Sequence, residues 1–294
     1  MQSSGPVKAL AMPILFVIIW ATGFIVARLV APHIEPLTFM LGRYMGAGIV
    51  LAIIAIILKA PWPDNRRDIR NSMIAGILLH GIYLGGVFWA VKHGMPSGIA
   101  ALVAGLQPIA TAALVGPLLG EKVSRKQWSG VLIGLCGACL VIVPKLGGQN
   151  GFTFSALIVC LCAMFSITFG TIWQKKNGAS INLVTNTVVQ YIAAFIVTLP
   201  VALMTETMQF EITTDLFLGW FWSVFGLSIG AILLLLTMIR KGAVASVASI
   251  IYLVPPTSAL MAYFIFREEL LPLQIVGMAI AATGVAIALK GQAR

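Results

Sequence analysis

Apolar residues run through this chain in blocks of about 18 to 25, the length needed to cross a hydrocarbon core, and short gaps marked by charge, glycine or proline separate them. Within a block the apolar positions do not keep to one face. They cover the whole circumference, as a helix does when its surroundings are lipid or other apolar helices. The pattern predicts ten spans, at 9–30, 37–58, 71–91, 96–119, 127–143, 153–173, 181–204, 216–239, 243–266 and 272–289. The connections are short, so the chemistry has to lie among the helices.

Composition agrees. The 294 residues are 60% hydrophobic and 10% charged, with a mean hydropathy of +1.01; a soluble domain would carry far more charge. The fold class is therefore an all-α integral membrane protein. The first span follows Lys8, runs long and has no small-residue cleavage site, so it is expected to stay in the mature chain. Lys8, Lys59, Arg66, Arg67, Arg70, Lys122, Arg125, Lys126, Lys175, Lys176, Arg240, Lys241, Lys290 and Arg294 fall on one side of the predicted bundle. Only Lys92, Lys145 and Arg267 fall on the other. The positive-inside rule then places both termini in the cytoplasm. The net charge of +10 is topological and points to no nucleic-acid partner.

A shift of 147 residues lays the chain on itself. Gln107-Pro108 falls on Val254-Pro255, Glu121 on Glu268, Gln127 on Gln274, Gly130 on Gly277, Gly137 on Gly284 and Arg43 on Gln190. Two five-span repeats, 1–147 and 148–294, are expected. Because five is odd, the second enters the membrane upside down. Inverted repeats of this kind mark secondary transporters, whose two openings are related by a pseudo-twofold axis in the membrane plane.

The segments WATGF (20–24), EPLTFMLGRY (35–44), GEKVSRKQWSGVLIG (120–134) and REELLPLQIVGMAIAATGV (267–285) resemble the EamA-type members of the drug/metabolite transporter superfamily. The likeness covers nearly the whole chain. It departs at Arg267, where the family usually has glycine before the glutamate, and in the third span. It implies ten helices in two EamA repeats and movement of amino acids or other small metabolites, usually outward, across a bacterial inner membrane. It also implies that the first, third and fourth helix of each repeat line a central cavity.

On those helices the polar and aromatic residues at mid-depth are the candidate substrate contacts: Trp20, Thr22 and Phe24 on the first span, His80 and Tyr83 on the third, Gln107 on the fourth and Tyr252 on the ninth. Pro108 on the fourth span and Pro255 and Pro256 on the ninth are predicted to break matched helices and free backbone carbonyls. Each aromatic has a plainer reading as packing. Gln107 and His80 are harder to place that way, since an unpaired polar group in hydrocarbon is costly.

Asn182, Asn186 and Gln190 share one face of the seventh span, and with Arg43 on the second they are expected to hydrogen-bond between helices. Arg43 is expected to reach loop or helix-end carbonyls near the outer interface by snorkelling, with contact to an anionic group as the sharper alternative.

No catalytic motif, metal site or cofactor is predicted. Cys136, Cys139, Cys160 and Cys162 lie in apolar spans with no loop to present a metal, and every carboxylate sits in a loop or at a helix end. The chain is expected not to be an enzyme. Its partners are the bilayer and a small neutral or zwitterionic metabolite, and it is expected to be a monomer or homodimer. The competing readings are a proton-coupled multidrug or organic-cation exporter, against which the missing intramembrane carboxylate argues, and a passive channel or non-transporting membrane partner. His80 is the one mid-depth group that titrates near neutrality, so any pH dependence is assigned to it.

Overall fold

The computed structural model describes residues 6–30, 32–93, 95, 103–143, 153–242, 244–266 and 270–291. Thirteen helical segments follow in chain order: α1 (Pro6–Val30), α2 (Pro36–Ile57), α3 (Arg66–Gly76), α4 (Tyr83–Lys92), α5 (Gln107–Leu119), α6 (Arg125–Ile142), α7 (Phe154–Asn177), α8 (Leu183–Thr205), α9 (Thr214–Trp222), α10 (Ile232–Lys241), α11 (Val244–Ile250), α12 (Val254–Phe266) and α13 (Pro272–Lys290). Among the described residues, 7 continuous helices are long and apolar enough to cross a membrane, and two shorter apolar helices join them. The chain is a multi-pass, all-helical membrane protein of ten spans.

Local chemistry sets the helix ends. Ser124 and Gln127 form a reciprocal cap on α6: Gln127 N donates to Ser124 Oγ (3.1 Å) and Ser124 N to Gln127 Oε1 (3.0 Å). Asn65, Thr153, Asn182 and Thr213 cap α3, α7, α8 and α9 with their side chains. Gly120 ends α5 in the left-handed region (φ 72°), where a side chain would be strained. The third span begins at Arg66 rather than at the apolar boundary near 71, because the Asn65 cap adds a polar turn to the helix.

Four interruptions fall in two related pairs. The third span widens to a π-helix at Ile77–Ile82 between α3 and α4, and the eighth widens at Ser223–Ala231 between α9 and α10. These stretches overlap at the shift of 147 residues. The fourth span has a turn at Gly105 and Leu106 just before α5, and the ninth tightens to a 3-10 turn at Ile251–Leu253 before α12. Pro108 and Pro255-Pro256 stand in the first turn of the helices that restart, where a missing N–H leaves no bond broken.

The tightest helix pair is α6 against α13, and glycine permits it. A Cβ on Gly130 would lie 2.3 Å from Ala288 N, and on Gly137 2.2 Å from Ala281 N; the partner glycines Gly284 and Gly277 meet the backbones of Gly134 and Gly137 in turn. The largest apolar cluster gathers Phe16, Leu79, Val115, Ile167, Leu236 and Val247 from six spans. Large side chains such as Ile56, Met204 and Phe264 face outward, as lipid contact requires.

Charges sit at the ends. Glu35 accepts from Lys92 Nζ (2.7 Å), Thr207 N (2.7 Å) and Thr207 Oγ1 (2.9 Å), and Glu206 accepts from the first amides of α2, Leu37 N and Thr38 N (both 2.8 Å). The Lys92 ammonium, seconded by Thr207, holds the Glu35 carboxyl down at about 2, against 4.5 for an unperturbed glutamate. At the opposite end Arg240, closing α10, donates to the carbonyls of Gly178 (3.0 Å) and Ile181, and Glu121 accepts from Val244 N at the start of α11 (3.0 Å).

Candidate functional site

The polar side chains buried at mid-depth meet where the second and seventh spans cross the two π-helical stretches. Tyr44 on α2 donates its hydroxyl to the His80 carbonyl (2.9 Å), and Tyr191 on α8 donates to the Ser228 carbonyl (2.6 Å). A π turn takes carbonyls out of the regular i to i−4 ladder, and each tyrosine supplies a donor to one of the two widened segments. The two tyrosines are 147 residues apart in sequence. Their rings stack across the centre at 5.9 Å and 20°.

The residues just before them reach the other way. Arg43 Nε donates to Ser228 Oγ (2.5 Å), and His80 Nε2 meets Gln190 Oε1 (3.2 Å). Each span thus bonds its own repeat's widened segment through a tyrosine and the opposite repeat's through the preceding residue. The four contacts form a two-fold set. Gln190 Nε2 continues to Gln174 Oε1 on α7 (2.9 Å). With its amide nitrogen so committed, Gln190 offers His80 an acceptor, so His80 carries its proton on Nε2 and leaves Nδ1 as a bare acceptor. That Nδ1 is buried and has no partner.

Arg43 therefore does not reach loop or helix-end carbonyls, contrary to the expectation from sequence. Gly42 and Gly46 let Trp220 lie close on α2, where a Cβ on Gly46 would be 2.7 Å from the indole. The eighth span comes near enough to take the guanidinium sideways at Ser228 before it can extend to an interface. The interhelical bonding expected of the seventh span is carried by Gln190. Asn182 instead caps α8, and Asn186 is wholly buried with both amide atoms unpartnered.

The predicted substrate contacts divide among several places. His80 joins the central cluster, whereas Tyr83 is half-buried and packs against the main apolar core. Trp20 packs against Phe16 with the rings tilted (5.1 Å, 42°) beside the main core. Thr22 donates to Ile19 O (2.5 Å) and accepts from Trp222 Nε1 (2.7 Å), so it fastens the first span to the eighth. Phe24 falls in α1, and its side chain lies outside the described residues.

Gln107 is buried (2% exposed) and lines a separate small enclosure with Thr171, Leu235, Val247 and Ile251. Tyr252 faces away from His80. Its ring packs on Gly134, where a Cβ would come within 2.6 Å, and it belongs to the cluster between α6 and α13. It lies in the 3-10 turn, and Ile251 rather than Tyr252 lines the Gln107 enclosure.

Sequence reasoning missed Gln174, Ser228, Tyr44 and Tyr191. The tyrosines were findable, since the shift that lays Arg43 on Gln190 also lays Tyr44 on Tyr191. Among the described residues there is no cluster of three or more metal-ligating side chains.

Known proteins carry the same architecture. The model of the "EamA-like transporter family" matches twice, at residues 7–143 and 154–290. A "Probable amino-acid metabolite efflux pump" of Escherichia coli (strain K12) is 25% identical over 95% of this chain and 94% of its own. The "Uncharacterized inner membrane transporter YedA" of the same organism is 24% identical over 94% of this chain and 88% of its own. A solved crystal structure with 18% sequence identity superposes with a TM-score of 0.79 and covers 96% of both chains, which speaks for the fold alone.

Proposed function

The chain belongs to the EamA-like transporter family, within the drug/metabolite transporter superfamily, and from that membership we propose that it exports small neutral or zwitterionic metabolites, amino acids foremost, by alternating access. The observation that carries the mechanism is the two-fold set at the centre: Tyr44 with the His80 carbonyl and Tyr191 with the Ser228 carbonyl, crossed by Arg43 with Ser228 and Gln190 with His80. A pair of equivalent, mutually exclusive openings needs two halves that swing about such a shared seam. The outward direction and the amino-acid class draw support from the relative named as an efflux pump.

In this reading His80 and Tyr83 face the substrate, and the matched breaks before Pro108 and Pro255-Pro256 are where the fourth and ninth spans flex. The protein lies in the bacterial inner membrane with both termini in the cytoplasm. Movement is down the substrate gradient, a reading supported by the position of the described carboxylates in loops and at helix ends rather than at mid-depth. The test is flux into liposomes containing the purified chain. Saturable, substrate-selective amino-acid flux supports the proposal, whereas unsaturable or absent flux returns the chain to the channel or partner reading.

A further inference from the structure

Arg43 carries a charge and is buried within the bundle, at 6% exposed. Taking such a charge out of water costs several kcal/mol unless an opposite charge or a full set of hydrogen bonds compensates it. The ion pairs of the described residues lie elsewhere, between His33 and Glu211 and from Lys92 to Glu35 and Glu206. The carboxylates among the described residues stand in loops or at helix ends. None of them neutralises the guanidinium.

Arg43 is also under-bonded. A guanidinium has five N–H donors, and the Nε proton alone is placed, on Ser228 Oγ. The Nη groups make no hydrogen bond with a described residue. Tyr44 and Tyr191, the phenols beside Arg43, spend their hydroxyl protons on backbone carbonyls. Four guanidinium donors therefore have no acceptor, and the charge no counter-ion, among the described residues.

We propose that Arg43 forms a carboxylate subsite that holds the anionic end of the transported metabolite while Ser228 fixes the guanidinium plane. A planar fork of donors suits a carboxylate better than a point charge does. The inference rests on the transport reading above and narrows it: the cargo carries a free carboxylate, and amides or amines derived from it are excluded.

Matched acid and amide pairs test this with the purified full-length chain: leucine against leucinamide, threonine against threoninamide and phenylalanine against phenylalaninamide. Titration of the ligand-induced rise in melting temperature gives apparent affinities. At least one acid is expected to bind, with its amide at least about tenfold weaker. Arg43→Gln is expected to weaken the acid by a similar factor and erase the acid-over-amide preference.

Equal binding of acid and amide by the wild type overturns the subsite, and so does a preference that survives Arg43→Gln. The wild-type comparison stands even if a variant fails to insert. If no pair binds while liposomes still carry another solute saturably, the subsite falls and the transport reading holds. If no solute is carried at all, both fall.

Discussion

Gln190→Leu tests the central cluster where it is most tightly bound. The amide accepts from His80 Nε2 (3.2 Å) and donates to Gln174 Oε1 (2.9 Å), and all three side chains are buried. Leucine removes both bonds. It leaves a ring N–H and an amide oxygen with no water to turn to, and each orphan costs roughly 1–3 kcal/mol, so the variant should lose about 2–6 kcal/mol. His80→Leu leaves only the Gln190 oxygen orphaned and should lose less of the polar contribution. The double variant replaces both partners of that bond with apolar groups, a change that is close to neutral for the pair itself.

The two single losses together should therefore exceed the double loss by the two orphans the double variant never creates, about 2–6 kcal/mol. The assay is thermal melting of the four purified proteins in one detergent, with intrinsic tryptophan fluorescence as readout. Strict additivity, or a Gln190→Leu variant that melts with the wild type, would show that the His80–Gln190–Gln174 chain does not hold in solution.

Gly137→Ala puts a Cβ 2.2 Å from the Ala281 backbone nitrogen, where only a shift of the whole helix can relieve it, while Gly116→Ala meets nothing nearer than 3.7 Å. The first should lose about 1–3 kcal/mol and lower the melting temperature, the second should not, and equal melting would dissolve the α6–α13 seam. Glu35 has its folded pKa depressed from 4.5 to about 2 by Lys92 and Thr207, so its contribution is present above about 4.5 and is lost as the pH falls toward 2. Glu35→Gln should flatten the melting-temperature profile across that window, and an unchanged slope would move the acid sensitivity elsewhere. In intact cells a cysteine at Asp215 should label with an impermeant maleimide and one at Arg66 or Lys175 should not; reversed labelling would invert the proposed orientation.

The spans and their order were legible because lipid imposes a length and an all-round apolar surface that few other structures share. The shift of 147 residues was legible because Gly130, Gly137, Gly277 and Gly284 each answer a backbone-to-backbone contact that tolerates no Cβ. Less was readable at the centre. A π turn leaves no mark in composition, so nothing announced that Ser228 would face α2 or that the His80 carbonyl would need Tyr44. Arg43 was assigned to an interface because snorkelling is the general escape for a cation, and the approach of Trp220 to Gly42 and Gly46 is what closed that route. Tyr252 reads from sequence as a mid-depth candidate substrate contact, but it lies in the 3-10 turn at Ile251–Leu253 and its ring packs on Gly134 between α6 and α13.

Counterflow asks most directly whether this protein alternates between two openings. Liposomes holding the purified chain are loaded with a high concentration of unlabelled amino acid and diluted into a trace of the same compound, labelled. A carrier whose single site faces one side at a time must draw the label in transiently above its equilibrium level, because exchange outpaces the return of the empty site; that overshoot is the predicted result. A monotonic rise to equilibrium, with no overshoot and no acceleration by the internal pool, would contradict alternating access and leave a passive pore.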